Sequence, residues 1–455
     1  MDANGFGTSA SGARFFLLIM ALAASLHPEQ AKADAFPDTI SFDGFEACGL
    51  QCARVQCPGN GTTSLSGTIY TPAGTLPLPN VEVYIANATV APLVDGPPAL
   101  RCDQAPSGHP LVATLTGSDG KFKLVNVPAG TPMNLVVLAG KWRRQVAVPA
   151  LSACVDTPLD PVATRLPRTH VEGDIPLTAV VTGNGEALEC LLRKTGVADT
   201  EFGSNSGSAR IQLFTGNGAS SIDGGGALAN ATTLWANGTS LSAYDQVMLA
   251  CESAQQPATQ PQTAVDGMKT YADSGGRVYL SHWQNLWIAG QINGGIIGAW
   301  PTVASWNFNA STLSGSKTAT INATFPQGKT LQDWLFATGA SAIAGSLVLN
   351  EPRQTTTAVD GSAARAWMTL NTVENGASIP YFSFTTPITA ADGAQQGRVL
   401  FVDLHANAGG SDMSATGSSF PSSGCHSAVG TMTAQEKALL YATFDLQRCV
   451  GSTRE

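Results

Sequence analysis

Between residues 62 and 150 the chain is built from short stretches of alternating apolar and polar positions, at 65–70, 81–85, 112–115, 122–125, 134–138 and 145–148. Gly and Pro turns separate them, among them Pro72-Ala-Gly74, Ser118-Asp-Gly120 and Pro128-Ala-Gly130. Alternation with period two buries one face of a strand, and strands this short and closely spaced predict an antiparallel β-sandwich.

The pattern changes from about residue 176. Apolar runs at 210–214, 246–250, 277–281, 346–349, 381–385 and 399–404 predict buried strands, and amphipathic stretches at 263–274, 330–338 and 434–445 predict helices. Such interleaving predicts a mostly parallel sheet with helices on its faces. The fold class is therefore multidomain: an antiparallel β-sandwich (62–150), a connector (151–175) and an α/β domain (176–455). Residues 288–328 and 406–428 carry few such signals and are expected to be loops or insertions.

The N-terminus adds a location. A charge-free run at 15–26 follows Arg14 and leads to Ala31-Lys-Ala33, the pattern of a signal peptide over 1–33. A cysteine-containing lead-in follows over 34–61, and no later stretch is long and apolar enough to span a membrane. The expectation is a bacterial protein secreted, extracellular or held at the outer surface. Charged residues are 13% of the chain and the net charge is −9, which gives no reason to expect nucleic acid as a partner. The one basic cluster, Lys141, Arg143 and Arg144 beside Trp142, reads as a solvated strand edge.

An oxidising compartment makes disulfides the default for most of the nine cysteines. Cys425 and Cys449 flank the last helix and are expected to bridge. Cys102 with Cys154, and Cys190 with Cys251, are the other expected pairs.

Two family resemblances enter on particular residues. Ser66-Gly-Thr-Ile-Tyr70, Leu78-Pro-Asn-Val-Glu-Val-Tyr84, Thr116-Gly-Ser-Asp-Gly-Lys-Phe-Lys-Leu124 and Val127-Pro-Ala-Gly130 resemble the carboxypeptidase regulatory-like, or transthyretin-like, domain. That resemblance implies an accessory sandwich, with an insertion around 87–110. Asp245 to Cys251, Gly276-Arg-Val-Tyr-Leu-Ser-His282 and Gly397-Arg-Val-Leu-Phe-Val-Asp-Leu-His405 resemble the class I glutamine-amidotransferase-like superfamily, especially its trehalose-utilisation-like branch. This implies a flavodoxin-like α/β domain. The whole chain resembles a group of secreted bacterial proteins that couple these two units.

Candidate chemistry gathers where the strands end. Cys251 follows an apolar run, as the amidotransferase nucleophile does, but Ala250-Cys-Glu-Ser253 lacks the glycines of that elbow, so a structural disulfide is favoured there. His282 and His405 each end a predicted strand, and Asp403 shares a face with His405 if the segment is extended. These three are the candidate catalytic residues and the candidate ligands of a divalent metal, with a hydrogen-bonded structural role as the bland alternative. Trp283, Trp287, Trp300 and Trp306 are candidate ligand-binding residues, since rings among amides suit a glycan, although each ring can equally pack a core. Two functions stay open: a binding or structural protein that recognises glycan or a surface protein, and a divergent metal-assisted or histidine-dependent hydrolase.

Overall fold

The computed structural model describes residues 49–236, 240–309, 313–372 and 376–451. The expected signal peptide and most of the lead-in lie outside the described residues. Residues 48–455 form one compact unit.

The sandwich opens it. One sheet contains β1 (Ser64–Thr68), β4 (Lys121–Val125) and β7 (Asp156–Pro158) in the order β4-β1-β7; the other contains β2 (Glu82–Ala86), β3 (Pro110–Leu115), β5 (Met133–Ala139) and β6 (Trp142–Val148) in the order β3-β2-β5-β6. All pairs are antiparallel except β1 with β7, a strand that the connector contributes.

The larger sheet contains nine longer strands: β8 (Thr178–Thr182), β9 (Ile211–Thr215), β10 (Gln246–Leu249), β11 (Arg277–Ser281), β12 (Ser316–Ile321), β13 (Ser346–Asn350), β14 (Ala364–Thr372), β15 (Gly376–Thr386) and β16 (Gly397–Val402). Their spatial order is β9-β8-β10-β11-β16-β15-β14-β12-β13, with short strands added at the β9 edge. The five from β9 to β16 are parallel and run 2-1-3-4-5 in chain order, the flavodoxin-like arrangement. The remaining four extend the sheet antiparallel.

Both faces of the parallel strands are covered, which is why they read as continuous apolar runs. Met248 of β10 points into one core, with Leu188 of α1 (Leu188–Lys194), Leu331 of α3 (Pro326–Ala337) and Leu439 of α4 (Ala434–Leu446). Val247 and Leu249 point into the other, with Val265 and Met268 of α2 (Gln262–Asp273). The first core continues into the sandwich through Leu65, Val83 and Trp142. A capping box between Thr433 and Glu436 starts α4 by satisfying its first free N–H groups.

The basic cluster is not a solvated edge. Lys141 is buried in an ion pair with Asp245 of the α/β part, and Arg143 is buried against Asp174 at 2.8 Å. Both charges cross from sandwich to connector or sheet, where a cation must be paired to be buried.

The expected disulfides are corrected. Among the described residues, bonds join Cys57 to Cys154, Cys102 to Cys449 and Cys190 to Cys425, while Cys251 is a free buried thiol. Cys425 and Cys449 flank α4, whose 13 residues span about 20 Å, and each is bonded to a different partner. Cys102 sits on the sandwich insertion that reaches the end of α4, so it bonds Cys449 and leaves Cys154 to the lead-in. Cys190 lies on α1 and bonds Cys425 of the 406–428 segment. Among the described residues no helix is long and apolar enough to cross a membrane. The disulfides are consistent with an extracytoplasmic location.

Candidate functional site

Parallel strands deliver their following residues to one edge, and in open α/β sheets ligands bind there, where the strand order reverses. Here that point lies between β8 and β10. The loop after β8 is Gly183-Asn-Gly-Glu186, and Ala250-Cys251 follows β10. A Cβ on Gly183 would sit 2.2 Å from the Cys251 carbonyl oxygen, and one on Gly185 would sit 2.9 Å from its Sγ, so only glycine admits this approach. The Glu186 carboxylate then accepts the N–H groups of Cys251 at 2.9 Å and Ala406 at 3.1 Å, tying together the exits of β10 and β16.

His282 begins directly after β11 with φ +42, a conformation uncommon for a side chain with a Cβ. Its Nδ1 lies 3.4 Å from Cys251 Sγ, and its ring centroid lies 5.3 Å from that of His405. One ligand atom from each of Cys251, His282 and His405 falls within 4.8 Å of the others. The three have metal-binding geometry, and they are closely enclosed: Cys251 is 0% exposed and each histidine 6%. His405 Nε2 is buried with no hydrogen-bond partner among the described residues, and its Nδ1 faces the Arg353 guanidinium at 3.3 Å.

Burial sets the protonation of these groups. It pushes the Cys251 thiol up to about 12, with the Glu186 charge adding to the shift. It holds His282 well below the ordinary histidine range, helped by His405 and Arg353, and His405 down at about 3. Both imidazoles are therefore neutral near pH 7, the form that ligates metals. Glu252 is raised to about 7 by burial and accepts from Gln284 Nε2 at 3.2 Å.

The sequence expectations divide. His282 and His405 converge, and Cys251 joins them as the third member. Asp403 does not: its carboxylate accepts the N–H groups of Thr355 at 2.7 Å and Thr356 at 3.1 Å and the Thr355 hydroxyl at 2.8 Å, although burial raises it to about 6. It organises the loop that carries Arg353, whose own N–H donates to the Asp403 carbonyl.

The aromatic platform is also corrected. Trp287 and Trp300 are fully buried, against Trp235 and Phe384 respectively. Trp306 is half-buried among Phe308, Phe382 and Phe401, and only Trp283 stands at the cluster, 4.7 Å from the His282 ring. Apolar packing beneath the 288–328 segment takes these rings because each removes a large carbon surface from water.

Glu186, Arg353 and the two loop glycines were not identified from the sequence. The available signal was the 178–182 apolar run bounded by Pro176 and Gly183.

No protein-family model matches the chain, and no curated protein matches it. Among solved structures, an N-terminal and a C-terminal interface mutant of a type II cohesin-X-dockerin complex from Acetivibrio cellulolyticus each align at 17% identity over 33% of this chain and 80% of that chain, with a TM-score of 0.16. A likeness that slight carries no argument about fold or partner.

Proposed function

We propose that the protein is a divalent-metal-dependent hydrolase in which Cys251, His282 and His405 hold the ion. The observation that carries this reading is the approach of their three ligand atoms to within 4.8 Å at the sheet edge where α/β folds bind ligands. One thiolate and two imidazoles suit zinc, and three protein ligands leave a fourth position for a reactant. When bound, such an ion supplies Lewis acidity toward a carbonyl or phosphoryl group. The chain's own groups complete the site. Arg353 offers a fixed cation beside His405 for an anionic part of the substrate.

The strand order supports the amidotransferase-like kinship, and the regulatory-like sandwich fits as an accessory module. The glycan-binding reading loses support because Trp287 and Trp300 are inside.

The test is metal content and turnover on ester, amide, phosphoester and glycoside substrates after zinc loading. The parent should bind one equivalent and hydrolyse one of these classes. H282A, H405A and C251A should lose both properties with circular dichroism unchanged, and D403N should keep the metal. A loaded, folded parent inactive on every class would overturn the hydrolase assignment.

A further inference from the structure

The second sheet of the sandwich is apolar on both faces. Val83, Ile85 and Val137 belong to the main core, whereas Tyr84, Ala86 and Val136 form a separate cluster on the outer side. An antiparallel sheet usually leaves one face to water, so an apolar outer face needs a second cover. The insertion at 87–110 provides part of it, and Val90 joins the outer cluster. The cover is incomplete. Between the insertion, β3 and the end of α4 lies a cavity of about 580 Å³, a size that accommodates a small molecule.

We propose that this cavity binds a neutral, ring-bearing apolar molecule. Its wall presents Trp334 of α3, Tyr441 and Phe444 of α4, and Ala113 and Leu115 of β3. Ala113 and Leu115 lie two apart on one strand face, and Leu115 is 37% exposed. The polar ends of the rings are already used: Trp334 Nε1 donates to the Pro77 carbonyl at 2.6 Å, Tyr441 to Gln327 at 2.9 Å and Tyr84 to Ser107 at 2.9 Å. What remains toward the cavity is carbon, and aromatic walls favour a ring that can pack edge-to-face against them.

Each arginine at the wall is paired with a carboxylate, and Glu82 adds a further carboxylate to the lining. Arg101 pairs with Asp103 at 3.0 Å, Arg143 with Asp174 at 2.8 Å and Arg448 with Asp445 at 3.3 Å. An anionic ligand would have to displace a carboxylate already held by an arginine, so a neutral occupant is favoured. The Cys102–Cys449 disulfide fastens the insertion to the residues following α4, which preforms the wall and lowers the ordering cost of binding. Cys251, His282 and His405 do not line this cavity, so the site is distinct from the proposed metal centre.

The probe is the neutral fluorophore N-phenyl-naphthylamine, titrated into the full chain with its disulfides intact. A saturable rise in emission at one site per chain is expected, at least about tenfold weaker in A113W, which fills the cavity from an exposed strand position, and unchanged in H282A. L115W provides a second filling variant should A113W disturb the fold. The anionic analogue anilinonaphthalene sulfonate should bind more weakly than the neutral amine. Absence of saturable binding by the parent, unchanged affinity in the folded filling variants, or preference for the sulfonate would overturn the proposal.

Discussion

The guanidinium of Arg353 lies 3.3 Å from His405 Nδ1, and it has hydrogens to donate but no lone pair. Without metal it can occupy the imidazole, and with metal its charge repels the ion. R353M is therefore expected to raise zinc affinity at least about tenfold while weakening turnover of an anionic substrate, read by competition with a chromophoric chelator and by KM. Glu189 gives an independent residue-scale prediction. Fully buried, with Oε2 lacking a hydrogen-bond partner among the described residues, it is raised by desolvation to about 7 from the ordinary 4.5. Between those values the folded state holds a proton that the unfolded state has released, so stability should fall as pH rises through this window. E189Q should remove that slope and stabilise the protein at pH 8 by up to about 3 kcal/mol, measured by urea unfolding at pH 5 and pH 8. His282 and His405 were legible because each follows an apolar run. Asp403 was misplaced because strand alternation stops at Val402, after which the chain turns its carboxylate toward Thr355.

At the scale of elements, the segment at 406–428 folds over the same sheet edge. Ser414 Oγ accepts the Ala219 N–H at 3.0 Å, and the Thr416 hydroxyl donates to the Asn217 carbonyl at 2.7 Å. Cys190–Cys425 ties this segment to α1, and Lys194 of α1 bridges Asp412 and Glu436 at 2.7 and 2.6 Å. Removing both sulfurs in C190A/C425A should cost about 2–5 kcal/mol under oxidising conditions, mainly by freeing the unfolded chain. The difference from the parent should shrink in reductant, which denaturant midpoints with and without a phosphine would show. Four of the five buried parallel strands were legible as apolar runs. The strand at Ser316–Ile321 was not, because Ser-Lys-Thr-Ala-Thr-Ile exposes alternate polar residues and resembles a loop; β8 was overlooked because its apolar centre, Ala179-Val-Val181, carries no large side chain and is flanked by threonines.

On the scale of the whole molecule, sandwich and α/β sheet share one apolar core, so the two parts distinguished by sequence pattern should unfold together. Gly140 illustrates their closeness, since a Cβ there would lie 2.2 Å from the Gln447 carbonyl oxygen. Lys141 and Asp245 form a buried ion pair across this junction. K141M strands the Asp245 charge and should destabilise the protein by about 3–5 kcal/mol, with tryptophan fluorescence and far-ultraviolet dichroism shifting in concert. Separate transitions for the two probes would show that the shared core does not couple them. Sequence pattern revealed both architectures but not this union, because it depends on residues far apart in the chain, such as the partners at 141 and 245. The most direct test of the metal centre is X-ray absorption at the zinc edge on the loaded protein. One sulfur near 2.3 Å and two imidazole nitrogens near 2.0–2.1 Å, about the distances such ligands take, are predicted; a zinc shell without sulfur, or no bound zinc in folded protein, would contradict the assignment.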